Sequence, residues 1–169
     1  SLDGFIADQN GEINWLQSIP NPDNDDMGYK DFISGIDAIV MGRKTFDTVC
    51  GFDIDWPYEV PVFVISNSLE ELPLNYKNKA EIVKGKLNDI LDRINGLGLN
   101  NLYIDGGRTI QSFLKEDLID ELIITTIPIV LGGGIPLFGE LSKSLEFEHI
   151  ESHVLLNQLV QDHYKRKRE

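Results

Sequence analysis

Two short stretches hold residues whose types and spacing suit anion binding: "MGRKTF", Met41 to Phe46, and "DGGRTI", Asp105 to Ile110. In each, an apolar run passes through glycine into an arginine, a threonine and a helical pattern. The start of a helix already carries unpaired N–H groups and positive partial charge. Cations there add like charge to like charge, unless an anion occupies the gap. Glycine lets a ligand approach the backbone, and free N–H groups at a helix start bind phosphate oxygens. Arg43, Lys44 and the Thr45 hydroxyl add charge and hydrogen bonds. Taken alone, either stretch reads equally as a tight turn with solvated cations. A third junction, "VISNSLEEL", ends a strand on Ser66, Asn67 and Ser68, which suit phosphate and ribose; a helix N-cap also explains Ser68. Ligands of open α/β sheets lie at the carboxyl ends of the strands. Three such junctions on one edge therefore point to an extended, phosphate-bearing ligand.

Other chemistries are excluded by what is missing. There is no G-x-x-x-x-G-K-[ST] and no G-x-G-x-x-G opening a helix. The run Gly132–Gly134 leads into "IPLF", which opens no helix, and reads as a turn or a ligand-side loop. His149, His153 and His163 fall in a β-rich segment where alternation puts the first two on one face. No acidic cluster joins them with zinc spacing, so no metal is expected. Cys50 is the only cysteine, which rules out an internal disulfide. A net charge of −13 argues against nucleic acid or an anionic membrane as partner. The terminal "HYKRKRE" reads as a solvated cationic end. No apolar run reaches the length of a membrane span, and a cytoplasmic protein is expected.

The elements that must position these residues follow from periodicity. A chain of 169 residues, 41% hydrophobic and 25% charged, fits one domain over 1–169. Alternating strands and helices imply an α/β layer with a largely parallel sheet. Ala38–Met41 and Val60–Ile65 read as buried strands, Ala80–Val83 and Leu102–Ile104 as shorter ones. Helices are expected around Met27–Ser34, Lys44–Val49, Lys86–Ile94 and Arg108–Lys115. Leu87, Ile90, Leu91 and Ile94 make one apolar face of the third. Ile119–Val130 is a β-rich segment in which Pro128 marks an edge, a bulge or an end. Ser144–Lys165 reads as an antiparallel hairpin with Asn157 near its turn.

"SLDGFIAD", "DAIVMGRKTFD", "VFVISNS", "LYIDGGRTIQSFL" and "ELIITTIPIVLGGGIPLF" together resemble the dihydrofolate-reductase-like fold. Within it they resemble the branch of the C-terminal reductase domain of the riboflavin-biosynthesis deaminase/reductase, in its stand-alone bacterial form. The resemblance covers nearly the whole chain. It implies a three-layer α/β fold, a central mostly parallel sheet closed by a C-terminal antiparallel hairpin, with the first central strand upstream of Ser1. It implies NADPH as hydride donor. Gly42, Arg43, Lys44 and Thr45 would lie at the pyrophosphate and 2′-phosphate, and Ser66 and Asn67 at the adenosine end. Asp105, Gly106, Gly107 and Thr109 would lie against the cofactor, Arg108 near the 2′-phosphate, and Ala7 near the nicotinamide.

On the substrate side the resemblance puts an acid at Asp26, with Thr125 as its hydrogen-bonding partner. That carboxylate would pair with a protonated ring amidine or relay a proton. Asp26 also suits a helix cap within the acidic "NPDNDDMGY". Trp15, Tyr29 and Phe46 are the expected substrate contacts, although Trp15 equally suits the core. Phe5 stands where the riboflavin reductases carry a charged residue, so the cofactor half is kept more faithfully than the substrate half. The expected function is an NADPH-dependent reductase of a small pterin-like or pyrimidine-like heterocycle, acting as a homodimer through Leu122–Leu131. The alternative is an NADP-binding module without catalysis.

Overall fold

The computed structural model describes residues 1–168. In chain order its elements are β1 (Phe5–Ala7), α1 (Tyr29–Ser34), β2 (Ala38–Gly42), α2 (Arg43–Cys50), β3 (Val62–Ile65), β4 (Glu81–Val83), α3 (Leu87–Gly96), β5 (Leu102–Asp105), α4 (Gly107–Lys115), β6 (Glu121–Thr126), β7 (Ile135–Pro136), β8 (Phe147–Leu155) and β9 (Leu159–Arg166). Short 3-10 turns lie at Asn14–Ser18 and Leu74–Tyr76. The chain forms two compact units, one of 29–109 and one of 1–28 with 110–169, the division falling inside α4.

The 29–109 unit is built on a four-stranded parallel sheet in the order β4-β3-β2-β5. Ala38, Ile39, Val40 and Met41 are all fully buried. That is why β2 reads as a continuous apolar run: a central parallel strand is covered on both faces. Partners across parallel strands share a face, so Ile39, Val62 and Tyr103 stand together, as do Met41, Val64 and Asp105. That face packs on Phe46 and Leu72, with Trp56, Tyr58 and Tyr76 around them. β2 leads through α2 to β3 on one side, while β5 lies on its other side. The order of strands therefore reverses between β2 and β5, and such a switch point is where open α/β sheets bind ligands.

In the other unit β6, β9 and β8 form a three-stranded antiparallel sheet in the order β6-β9-β8. The β8–β9 hairpin turns at Leu156 and Asn157, both with positive φ, at +49° and +56°. β6 ends before Pro128, whose missing N–H cannot continue a ladder. A bulge between His149 and Glu151 corrects the alternation expected for the histidines. His149 pairs with Tyr164 and His153 with Gln161, so the two point to opposite faces. The cationic tail is also not simply solvated. Arg166 donates two hydrogen bonds to Asp117, Nε to Oδ1 at 2.7 Å and Nη2 to Oδ2 at 2.9 Å, and its Nη1 donates to the Glu146 carbonyl at 2.9 Å. The bidentate pair ties the end of β9 to the turn after α4.

The same unit holds the pair of β1 and β7, only three and two residues long. Asp3 secures this corner. Its carboxylate accepts from the Ser1 hydroxyl and from the backbone N–H groups of Leu131 and Gly132, the last at 2.7 Å. The Gly132–Gly134 run is thus a turn fastened to the stretch before β1. These bonds, the Ser1 hydroxyl first, hold the Asp3 carboxyl down to about 2 from its usual 3.8. A depressed folded-state pKa contributes stability above the unfolded value and loses it as pH falls. Between pH 4 and pH 2 the unaltered chain is therefore expected to lose thermal stability more steeply than Asp3→Asn. Thermal melts of both proteins across that range check this; parallel curves would refute it.

Candidate functional site

The two glycine corners lie side by side. Met41 pairs with Asp105, so the ends of β2 and β5 are in register, and α2 and α4 start from neighbouring strands. Gly42 is the N-cap of α2 with extended φ and ψ of −82° and 162°, and no side chain caps that helix. Neither α2 nor α4 has an acidic residue in its first turn. The start of α2 thus keeps N–H groups and positive partial charge, while at the start of α4 the Gly106 N–H is held by the Asp105 carboxyl. Arg43 and Lys44 are exposed beside them. Arg43 Nε lies 3.3 Å from Asp47 Oδ2, an ion pair along α2, while Lys44 makes no ion pair among the described residues. Arg108 is exposed at the start of α4.

Both corners need glycine, though not first for a ligand. A Cβ on Gly42 would sit 2.7 Å from Thr109 Oγ1, and a Cβ on Gly106 would run into Thr45 Oγ1. Each helix sends its threonine onto the other strand's glycine, so the corners interlock. Gly106 also has φ of +92°, a conformation side chains resist. Thr109 is buried, and its Oγ1 would be 3.9 Å from that same Gly106 Cβ, so both hydroxyls converge on one point. Gly107 is buried at the first turn of α4.

At the third junction, on β3, Ser66 is buried and its Oγ accepts the Leu69 N–H at 3.0 Å. Asn67 is exposed and accepts from the Gly85 N–H. No helix follows Ser68, so its N-cap reading falls. These side chains organise the turn and keep donor capacity beyond it.

The substrate-side residues are arranged differently from expectation. Phe46 is fully buried, edge-on to Trp56 and Tyr76 at 6.1 Å and 5.8 Å, and belongs to the core; this corrects its assignment as a substrate contact. The helical period turns it inward, onto the sheet face of Met41 and Val64. Asp26 is exposed, and its carboxylate accepts the Gly28 N–H at 3.1 Å in the turn before α1. The apolar surroundings that would make it a poised acid are not there. Thr125 is exposed and accepts from Gln161 Nε2 at 2.9 Å across the β6–β9 pair. Trp15 is half-buried in a 3-10 turn, and its indole nitrogen has no partner. Ala7 is buried in β1.

Asp105, expected from the resemblance only to lie against the cofactor, has a buried carboxyl that sequence reasoning did not foresee. Burial raises its pKa above the usual carboxylate range, and the Gly106 N–H only partly offsets this. Burial raises Tyr103, Tyr58 and Tyr29 as well, and the Asp105 charge pushes each of them further. Tyr29 was named as a substrate contact and stays close to this group, 40% exposed. The available signal was the strand period, which sets Asp105 two residues from Tyr103 on one face.

The profile of the RibD C-terminal domain family matches residues 1–160. The uncharacterized protein YwjB of Bacillus subtilis is 35% identical over 169 residues, 98% of this chain and 93% of that protein. A solved structure from Shewanella sp. PV-4, assigned provisionally to riboflavin biosynthesis, superposes with a TM-score of 0.96 at 57% identity, over 99% of this chain and 94% of that one. The diaminohydroxyphosphoribosylaminopyrimidine deaminase/5-amino-6-(5-phosphoribosylamino)uracil reductase of Thermotoga maritima shares the fold, with a TM-score of 0.72 at 12% identity. That match covers 98% of this chain and 54% of the Thermotoga protein. The dihydrofolate-reductase-like α/β fold, with its parallel sheet and C-terminal antiparallel hairpin, is the one expected.

Proposed function

The chain belongs to the RibD C-terminal domain family, and from that premise we propose that it is an NADPH-dependent reductase of a small pyrimidine-like or pterin-like heterocycle. The observation that carries this reading is the pair of interlocked corners at the switch point between β2 and β5. Two helix starts with no acidic residue in the first turn, flanked by Arg43, Lys44 and Arg108, suit a ligand bearing several phosphates. A dinucleotide with a 2′-phosphate meets that requirement. Gly42, Lys44 and Thr45 would hold the pyrophosphate, Arg43 and Arg108 the 2′-phosphate, and Ser66 and Asn67 the adenosine end. The dinucleotide supplies a hydride when bound. The protein's part is to position the two reactants, exclude water and provide a proton.

Calorimetric titration with NADPH and NADH tests the cofactor, and oxidation of NADPH over a panel of pyrimidines and pterins tests the activity. Binding of NADPH in preference to NADH is expected; absence of NADPH binding would sink the reading. The exposed, turn-bound Asp26 favours a second reading, an NADP-binding module without catalysis. Tight NADPH binding without turnover on the whole panel selects it. We extend the proposal to a homodimer through Leu122–Leu131, where Ile123 and Val130 are 46% and 67% exposed. Sedimentation at two concentrations should show a species of twice the chain mass.

A further inference from the structure

We propose that β8 pairs edge to edge with β8 of a second copy of this chain, antiparallel and centred on Ser152. β8 lies at the end of the order β6-β9-β8, so β9 covers one of its edges and no described strand covers the other. Within β8 the stretch Glu148–Val154 is exposed throughout. A free edge of this length presents N–H and C=O groups to any strand that fits it. Its side chains do little to guard it. β8 contains no lysine, arginine or proline, residues that commonly blunt an edge. Ile150 and Val154 are 47% and 69% exposed, and Val160, the β9 partner of Val154, is 40% exposed. The bulge between His149 and Glu151 bends the first half of the strand, and from Glu151 to Leu155 the ladder to β9 is regular.

Register selects the partner. Alternation puts Ile150, Ser152 and Val154 on one face of the sheet and Glu151 and His153 on the other. Two antiparallel edges related by a twofold axis pair residues that share a face. An axis at Ser152 sets Ile150 against the second copy's Val154 and Glu151 against the second copy's His153, each pair occurring twice. On one face Ile150, Val154 and Val160 of both copies join into a continuous aliphatic stripe. On the other, glutamate meets histidine, a contact the chain already makes within itself. His153 Nε2 lies 3.3 Å from Glu151 Oε2, and His163 Nε2 lies 3.1 Å from Glu121 Oε2. An axis at Glu151 instead opposes Glu151 to its own copy and Ile150 to Ser152. An axis at His153 opposes His153 to its own copy and Val154 to Ser152. Of the three registers, the one centred on Ser152 alone complements both faces. The charge of −13 on each chain opposes association, and an edge contact of this length buries less than about 1,200 Å², so a weak pair is expected. β8 is the edge opposite β6, so this contact is separate from the one proposed through Leu122–Leu131. It stands independently of the reductase reading.

Sedimentation of the full chain over a wide concentration range tests the pairing. Val154→Lys sets two lysines against the aliphatic stripe and is expected to weaken this association by about tenfold or more. The mean mass at high concentration should then fall by about half or more. Ile123→Lys, on β6, should leave this step in place. Directed cross-linking reads the register, in a Cys50→Ser background. Residue 152 sits on the axis, where opposed Cα atoms stand about 4.5–5.5 Å apart, within disulfide reach. On mild oxidation Ser152→Cys is expected to form a covalent dimer about tenfold faster than Glu148→Cys or Ile123→Cys, and adding Val154→Lys should remove that advantage. An unaltered chain that stays monomeric at the highest attainable concentration overturns the proposal. So does an unchanged mass in Val154→Lys, or cross-linking at Ser152→Cys no faster than at Glu148→Cys.

Discussion

Replacing Gly106 with alanine is expected to destabilise the 29–109 unit by about 2–4 kcal/mol, because two independent effects add. A non-glycine residue at positive φ costs about 1–2 kcal/mol, and Gly106 sits at +92°. The added methyl also collides with Thr45 Oγ1 and comes within 3.3 Å of Thr45 Cβ. Thr45 cannot yield easily, since its own helix is anchored by Phe46, which is fully buried. A cavity elsewhere would be a single loss; this change strains both corners at once. The two effects separate in a double-mutant cycle with Thr45→Ala. Removing the hydroxyl and methyl of Thr45 should return about 1–2 kcal/mol of the Gly106→Ala penalty and leave the backbone strain. Chemical denaturation of the four proteins gives the coupling energy. A coupling near zero would mean the corners do not interlock as described. Under the proposed function, Gly106→Ala also weakens NADPH beyond its effect on folding, because it displaces the hydroxyls that converge at the helix starts.

Arg43→Ala is expected to weaken NADPH by about ten- to a hundredfold, the worth of one charge-assisted phosphate contact of about 1.5–3 kcal/mol. NADH, which lacks the 2′-phosphate, should change little, so the variant loses preference more than it loses dinucleotide binding. Arg43 is half exposed and paired with Asp47 at 3.3 Å. Surface pairs of this kind contribute little to stability, and the melting temperature should hardly move. Asp47→Asn supplies the converse. It releases Arg43 from its partner and should leave NADPH binding as tight or tighter. Raising salt should weaken NADPH more in the unaltered chain than in Arg43→Ala, since screening acts on the contact removed. Equal loss of NADPH and NADH in Arg43→Ala would place the arginine away from the 2′-phosphate.

Local patterns decided a great deal. The amphipathic helix expected over Lys86–Ile94 is observed at Leu87–Gly96, because a 3.6-residue apolar period needs no knowledge of partners. The hairpin turn at Asn157 and the end of β6 before Pro128 follow from single-residue backbone preferences. The two glycine corners were recognisable for the same reason: glycine and an arginine between an apolar run and a helix are local signals. Their adjacency followed from treating both strands as parallel neighbours. β1 and β7, by contrast, are too short to carry a period, and the Asp3 bonds that hold their corner cross more than a hundred residues of chain.

What a side chain does was settled only once its neighbours were in place. The Gly42 and Gly106 positions are filled by Thr109 and Thr45, residues that no local rule pairs with them. Phe46 and Tyr29 are both aromatics near apolar segments, yet one is core and the other is 40% exposed beside an acid. Asp26 and Asp105 are both carboxylates. The first lies in an exposed turn, while the second is desolvated at a strand end, and only their tertiary neighbours make that difference. The amino-acid sequence determined which residues could do chemistry and which elements carry them, because composition and periodicity act within a few residues. Burial and register decided which of those groups are poised to act, because desolvation depends on every atom that packs around them.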